Sequence, residues 1–126
     1  MGWTTNLHQT IENVHHYLKK DGVFIFSWEH PLYSRVHYND NMLMMDKSYH
    51  EEGPYDHEAW IHPAIMQQYK LSTYINTLVE YGFIVERVIE DVCLSEEDRK
   101  RDVNSWYSFE KASYIPTTII MKCRKV

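Results

Sequence analysis

The chain has 126 residues, of which 44% are hydrophobic and 25% are charged, and its formal net charge is −5. This length accommodates one domain with a buried core, and the composition is that of a globular protein rather than a disordered one. The acidic balance argues against a surface for nucleic acid or for an anionic membrane, because either surface requires a basic patch.

The chain has no signal peptide after Met1 and no apolar run that approaches the length of a membrane span, so we expect a cytoplasmic protein. Its two cysteines, Cys93 and Cys123, lie in or beside strand-like apolar runs. They are interpreted as small core residues of a reduced protein, with a disulfide as the alternative.

Helical spacing of apolar residues predicts a first helix over residues 5–20. Thr5 or Asn6 is suited to the N-cap position, and Gly22 follows the last turn, where a left-handed residue commonly ends a helix. The apolar positions of this helix are Leu7, Ile11, Val14 and Leu18.

A buried strand over residues 23–28 follows. Its first four positions, Val23–Phe26, are apolar without alternation, which is typical of a strand covered on both faces of a sheet. The polar stretch Ser27–His30 comes next, and Pro31 then turns the chain without needing a ladder hydrogen bond.

The remaining elements are a helix and two strands. The helix is predicted over 72–81, with Ser72 as its cap and Gly82 at its end. The strands are predicted over 83–89 and 117–122. The order of elements therefore indicates an α/β fold with a thin layer of three strands and two main helices.

Two long connections separate these elements. Residues 32–70 are too long for a bare loop, so we expect a hairpin in which 42–48 pairs with 65–71. Residues 92–116 form the second connection, with a short helix that begins at Ser95.

The polar end of the first strand is the candidate functional site. In open α/β sheets ligands collect beyond the carboxyl ends of the strands, which is where Trp28, Glu29 and His30 would lie. The alternative is structural: His30 caps the strand or pairs with Glu29.

A metal site is not expected. His57 and His62 are five residues apart, whereas the zinc motif H-E-x-x-H needs the four-residue spacing of one helical face. A metal-dependent hydrolase built on the insertion's histidines therefore stays a minor alternative.

The four glycines, at positions 2, 22, 53 and 82, are too far apart for a nucleotide-binding loop. Aromatic residues of the insertion either wall a pocket or pack the hairpin onto the sheet; they are Tyr38, Tyr49, Tyr55, Trp60 and Tyr69.

Three stretches, in the right order, resemble class I S-adenosylmethionine-dependent methyltransferases of the bacterial small-molecule type. L-K-K-D-G-V-F-I-F-S-W-E-H-P at 18–31 is similar to the family's fifth strand and its approach. The stretch at 71–90, with its Y-G-F turn, is similar to the sixth strand and the helix before it. I-P-T-T-I-I-M-K-C-R-K at 115–125 resembles the antiparallel seventh strand, and Gly2-Trp3 matches residues that follow the fourth.

The resemblance implies a partial Rossmann-like sheet with strands equivalent to 5, 7 and 6, flanking helices and a hairpin-containing insertion. It further implies one domain over 1–126, the C-terminal half of a methyltransferase fold, in which residues 32–70 are a substrate lid. The family's glycine-rich turn and ribose-binding acidic residue are missing, so S-adenosylmethionine is expected to bind only when the N-terminal half is present, and the chain alone is expected to be inactive.

Residue roles follow from the same resemblance. His30 or Glu29 is the expected catalytic base towards a small-molecule methyl acceptor. The other expected site residues are Trp28, Tyr33 and Trp60 for substrate, and Gly2 and Trp3 near the methionine end of the cofactor.

Without a fourth strand, residues 23–28 are expected to present an unpaired and uncharged edge. Such an edge is a template for another strand, so we expect a homodimer or pairing with the N-terminal half. The alternative function is a non-catalytic, self-associating α/β module that is a truncated or regulatory fragment.

Overall fold

The structure, a computed structural model, describes residues 1–57, 59–91 and 93–126. It contains three helices and seven strands within these ranges, and single 3-10 turns at Tyr33–Arg35 and Asp98–Lys100. In chain order the elements are α1 (Leu7–Tyr17), β1 (Val23–Glu29), β2 (Val36–Asn39), β3 (Met42–Met45), β4 (Gly53–Asp56), β5 (Ile65–Gln68), α2 (Leu71–Glu80), β6 (Phe83–Ile89), α3 (Phe109–Tyr114) and β7 (Thr118–Lys125).

The main sheet has the strand order β1-β7-β6, with β7 antiparallel to both neighbours. Phe26 of β1 lies opposite Met121 of β7, and Val85 of β6 lies opposite Cys123. A bulge between Val85 and Arg87 interrupts the β6–β7 ladder. The predicted sheet, with its last strand between the other two, is confirmed.

One face of this sheet forms the core. Alternate residues of β7 are buried there against α1 and α2, and the cluster consists of Leu7, Ile11, Phe26, Tyr74, Leu78, Phe83, Ile119, Met121 and Cys123. The opposite face leaves Val23, Ile25 and Ile84 exposed. The expectation that β1 is covered on both faces is therefore wrong for this chain, because both long helices pack on the same side.

The helix ends differ in detail from the expected ones. Asn6 is the N-cap of α1, and its side chain accepts a hydrogen bond from the Gln9 amide. The left-handed residue after α1 is Asp21, with φ of 63°, rather than Gly22. Helix α2 begins one residue earlier than expected, so Lys70 rather than Ser72 occupies its N-cap. Gly82, with φ of 82°, follows the end of α2 as predicted.

The insertion contains two hairpins rather than one. Strand β2 pairs with β3, and β4 pairs with β5, so the predicted pairing of 42–48 with 65–71 is wrong. Asp40 and Asn41 both have positive φ, 48° and 61°, which gives the tight turn that a two-residue hairpin favours. Each strand therefore pairs with a strand next to it in chain order, which closes a shorter loop than the predicted pairing would.

Arg35 holds the insertion together. Its side chain is fully buried and donates hydrogen bonds to the carbonyl oxygens of Pro31, Ser48 and Glu51, at 2.5, 3.3 and 2.5 Å. The guanidinium also lies 5.0 Å from the ring centre of Tyr49. Three carbonyls satisfy a buried donor group that would otherwise be costly, so the stretch after β3 is fixed to the start of the insertion.

The second connection contains an element that was not predicted. Ser95 and Asp98 form the expected reciprocal pair, since the Asp98 amide donates to Ser95 Oγ and the Ser95 amide donates to Asp98 Oδ2. Only a 3-10 turn follows this pair. The true helix is α3, whose N-cap Ser108 accepts from the Lys111 amide. Val92, the first residue assigned to this connection, lies outside the described residues.

The two cysteines differ in environment, so only half of that expectation is confirmed. Both are free thiols; Cys123 is in the core and Cys93 is exposed. Burial, and secondarily the charge of Glu86, raises the pKa of the Cys123 thiol to about 11.

We therefore predict that a disulfide reagent at pH 8 modifies Cys93 quickly and Cys123 at least about 100-fold more slowly, because little thiolate forms at the buried site and the reagent cannot reach it. Spectrophotometric thiol counting checks this. Cys93→Ser should remove the fast phase, and both thiols should react quickly in denaturant. Equal rates for the two thiols in the folded chain would contradict the placement of Cys123 in the core.

Candidate functional site

Glu29 is the centre of the site. Its side chain is only 6% exposed, and its carboxylate accepts four hydrogen bonds. Oε2 accepts from His57 Nε2 at 3.2 Å, from Trp106 Nε1 at 2.8 Å and from the Tyr107 hydroxyl at 3.0 Å. Oε1 accepts from the Tyr55 hydroxyl at 3.3 Å. A buried carboxylate is thus held by four side-chain donors.

Three parts of the chain meet at this carboxylate. Glu29 is the last residue of β1, where it lies opposite Thr118 of β7. Tyr55 belongs to β4, and His57 directly follows that strand. Trp106 and Tyr107 come from the connection before α3, 77 and 78 residues away in sequence. The site therefore joins the sheet, the insertion and the second connection.

The donors around Glu29 are neutral. His57 Nδ1 accepts a hydrogen bond from the Ala59 amide at 3.2 Å, so its ring carries the proton on Nε2, which donates to Glu29. Burial, and next the charge of Glu29, raises the pKa of Tyr55 and of Tyr107 above the usual value, so both hydroxyls stay protonated. The hydrogen bonds to Glu29 therefore come from neutral groups, and the buried Lys111 ammonium lies behind one of them, 4.4 Å from the ring centre of Trp106.

His30 is engaged elsewhere, at the far side of the strand end. Its Nδ1 accepts from the Leu32 amide at 3.1 Å, and its Nε2 lies 2.7 Å from Glu90 Oε1. Neighbouring residues of a strand point to opposite faces, so His30 and Glu29 do not contact each other. His30 is buried and links the end of β1 to the residue after β6, with both ring nitrogens occupied.

Three tryptophans form a pocket beside Glu29. The ring of Trp3 contacts those of Trp28 and Trp60 edge to face, with centroid distances of 6.5 and 5.4 Å. The cavity between them measures about 130 Å³. We call it the tryptophan pocket, and its other lining residues are Glu29, His57, Met66, Tyr107, Thr117 and Thr118.

Gly2 brings the N-terminal segment to this pocket. A Cβ atom on Gly2 would lie only 2.1 Å from Cζ2 of Trp28, so the close approach of the indole requires glycine here. The Gly2 carbonyl accepts a hydrogen bond from the Gln67 amide at 2.8 Å, which fixes the segment to β5. Trp3 is consequently held at the mouth of the pocket, although it is 58% exposed.

Tyr33 lies behind the pocket rather than in its wall. It is fully buried, its hydroxyl donates to the Trp106 carbonyl at 2.6 Å, and its ring stacks on that of Tyr107. The Lys111 ammonium lies 3.8 Å from the ring centre of Tyr33 and 4.4 Å from that of Trp106. Tyr33 therefore supports the residues that bind Glu29.

A larger cavity of about 400 Å³ adjoins the tryptophan pocket, and both share Tyr107, Thr117 and Thr118 as lining residues. Its polar lining includes Asp98 and Arg101, which form an ion pair at 3.4 Å. Together the two cavities provide one small aromatic compartment and one larger mixed compartment at the same end of the sheet.

Among the described residues, no three His, Cys, Asp or Glu side chains are grouped as a metal site requires. Glu58, the residue after His57, lies outside those residues. No described helix has the length and apolar character needed to cross a bilayer.

The sequence brought out Glu29, Trp28, Trp3 and Trp60, and the structure places these four together. The sequence pattern did not indicate Trp106 or Tyr107, and it indicated His57 only as a potential metal ligand. All three contact Glu29 across long sequence separations, and their local sequence carries no motif that could have revealed this.

Comparison with known proteins identifies the fold. The solved structures that match include two methyltransferases. A proposed S-adenosylmethionine-dependent methyltransferase from Listeria monocytogenes is 22% identical, with a TM-score of 0.75, over 99% of this chain and 57% of that one. An S-adenosylmethionine-dependent methyltransferase from Mesorhizobium loti is 22% identical, with a TM-score of 0.74, over 98% of this chain and 57% of that one. No protein-family model and no curated protein matches the sequence.

The chain therefore spans a little over half the length of these methyltransferases and shares the fold of that part. The resemblance seen in the sequence, to the C-terminal part of such a fold, is confirmed at this level, as is the α/β class with its partial sheet and flanking helices.

We predict that Glu29→Gln lowers the free energy of unfolding by about 2–4 kcal/mol, because the amide loses charge-assisted hydrogen bonds and turns its NH₂ towards other donors. Urea unfolding followed by fluorescence measures this. Glu96→Gln is the control, since Glu96 is exposed and its pair with Arg99 is worth under about 1 kcal/mol. Equal stability of the two variants would show that the carboxylate is not held as described.

Proposed function

We propose that this chain is the acceptor-side, C-terminal portion of an S-adenosylmethionine-dependent methyltransferase that acts on a small molecule. The observation that carries the proposal is the buried Glu29 carboxylate, which borders the tryptophan pocket at the end of β1 in a partial methyltransferase sheet. Methyl transfer depends mainly on positioning an acceptor, and a rigid aromatic pocket with one fixed charge serves that purpose.

The chain's own residues do not fit the cofactor by themselves. The four glycines are isolated from one another, and the space beside Gly2 that a ligand could approach is filled by the Trp28 ring. We therefore infer that S-adenosylmethionine, which supplies the methyl group in such enzymes, binds only when an N-terminal part is present. Trp3 is our candidate contact from this chain, because it is exposed at the mouth of the pocket.

Glu29 and His30 take different roles in this proposal. Glu29 lines the pocket and is the candidate for contact with the acceptor. His30 has both ring nitrogens bound within the protein, so it would have to give up a hydrogen bond before it could accept a substrate proton. Its proposed role is to position the end of β1 against Glu90. Glu29 is the preferred catalytic base, because its Oε1 accepts one hydrogen bond among the described residues, from Tyr55 at 3.3 Å, and so keeps a second acceptor site for a proton.

The insertion at 32–70 is proposed to be a fixed cover rather than a mobile lid. Arg35, near the start of the insertion, donates hydrogen bonds to the carbonyl oxygens of Ser48 and Glu51. His57 and Tyr55 of the insertion are hydrogen-bonded to Glu29. The acceptor would then enter past Trp3 and Trp60, which are both more than half exposed. Residues 1–126 would form one domain within the larger enzyme.

The two outer strands of the sheet differ in how they resist pairing. β6 has a bulge at Glu86 and places Glu86 and Arg87 there, features that protect a sheet edge. β1 is regular and carries no charge from Val23 to Trp28. We propose that the β1 edge pairs with the N-terminal part, and that the isolated chain pairs there with a second copy of itself.

Ile25→Lys is therefore expected to weaken self-association of the isolated chain at least about tenfold, because it places a charge on the free edge. Sedimentation velocity measures this. Ile84→Lys is a matched control, since Ile84 lies on the same open face but on the protected strand. A wild-type chain that stays monomeric, or equal loss in both variants, would contradict pairing through β1.

The cofactor proposal predicts that a chimera binds S-adenosylmethionine in calorimetry when the N-terminal part of the Listeria monocytogenes protein precedes this chain. The isolated chain should show no heat of binding, because it lacks the residues that hold the adenosine. A chimera that unfolds cooperatively, and so is folded, but binds no cofactor would favour the non-catalytic, self-associating module.

A further inference from the structure

We propose that the tryptophan pocket binds the ammonium head group of an amine, and that this amine is the acceptor substrate. The Glu29 carboxylate would take the ammonium proton, because only the free amine has the lone pair that forms the new N–C bond while the sulfur–carbon bond of the methyl donor breaks. This assignment of substrate class rests on the proposed methyltransferase function. All of the pocket's described lining residues belong to this chain.

The walls of the pocket suit a cation. Tryptophan offers the strongest cation–π surface of the aromatic side chains, and three of them meet here. The Trp3 ring stands at 72° to Trp28 and 71° to Trp60, so the three indoles form corners rather than a stack. Trp3 and Trp60 are also 58% and 54% exposed, which the packing of the core does not require.

The charge of the pocket suits a cation as well. Glu29 lines it with a carboxylate whose hydrogen-bond donors are the neutral His57, Trp106, Tyr107 and Tyr55. Hydrogen bonds from neutral donors do not cancel the charge of a carboxylate. A ligand cation at the pocket would supply the opposite charge, whereas an anionic acceptor would be repelled by the same carboxylate.

The size of the pocket selects a head group rather than a whole ligand. Its volume of about 130 Å³ is slightly below the ~150 Å³ of an apolar cavity that takes one benzene molecule. The body of the amine would extend past Tyr107 into the adjoining cavity of about 400 Å³. There, Thr117 and Thr118 continue the wall from one compartment to the other.

The test compares choline with its neutral isostere 3,3-dimethylbutan-1-ol, on the isolated chain, by tryptophan fluorescence and by the NMR signals of the indole N–H groups. The two probes have the same shape and differ in charge. We expect choline to bind at least about tenfold more tightly. Equal affinity, or no binding of choline by the folded chain, would overturn the proposal.

A pair of variants locates the site. Trp60→Leu keeps an apolar surface but removes one π face, so it should weaken choline binding several-fold and leave the isostere unchanged. Ile61→Ala is the matched control, because Ile61 is the next residue and is 97% exposed. Choline affinity that is unchanged in Trp60→Leu would show that binding occurs elsewhere and overturn the assignment.

A further arm separates an amine from the sulfonium of the methyl donor, which is also a small cation. Tetramethylammonium is expected to bind at least as tightly as trimethylsulfonium; a clear preference for the sulfonium would assign the pocket to the donor and overturn the proposal. Cofactor binding by the chimera tests the methyltransferase function separately. A chimera that binds S-adenosylmethionine while the chain ignores choline refutes the substrate class alone.

Discussion

A single buried negative charge organises this structure. Glu29 stands at the end of β1, and its carboxylate is out of contact with solvent except for a small fraction of its surface. Isolated charge in a protein interior is unfavourable by several kcal/mol unless hydrogen bonds compensate it. Side chains from β4, from the residue after it and from the connection before α3 provide those bonds. Satisfying one carboxylate thus fixes the relative positions of the sheet, the insertion and the second connection.

The sheet and its helices could be predicted because their signals are local. Apolar spacing placed α1 and α2 to within a few residues, and the runs at 23–28 and 83–89 gave two strands nearly to their ends. The hairpins could not be placed in this way. Strand β3 has the sequence M-L-M-M and β5 has I-M-Q-Q, and neither pattern identifies a partner. The turn at Asp40-Asn41 decides one pairing, through positive φ values that hydrophobic spacing does not reveal.

The candidate site was only half visible in the sequence for the same reason. Glu29 was singled out because a polar residue directly after a buried strand is unusual. Trp106 and Tyr107 lie in a polar connection with no motif around them that would mark them as site residues. Only the fold brings them within 3.0 Å of the carboxylate. Arg35 is a similar case, since a fully buried arginine held by three carbonyls has no sequence pattern.

The bulge in β6 has a consequence for the geometry of assembly. A sheet in which both edge strands can pair with another strand can add copies without limit and grow into a fibre. Here the edge strand β6 has a bulge and carries Glu86 and Arg87, while the edge strand β1 is regular and uncharged from Val23 to Trp28. Two copies of this chain that pair through β1, as we propose, would leave only their interrupted β6 edges exposed. Such a pair would be closed and would not grow further.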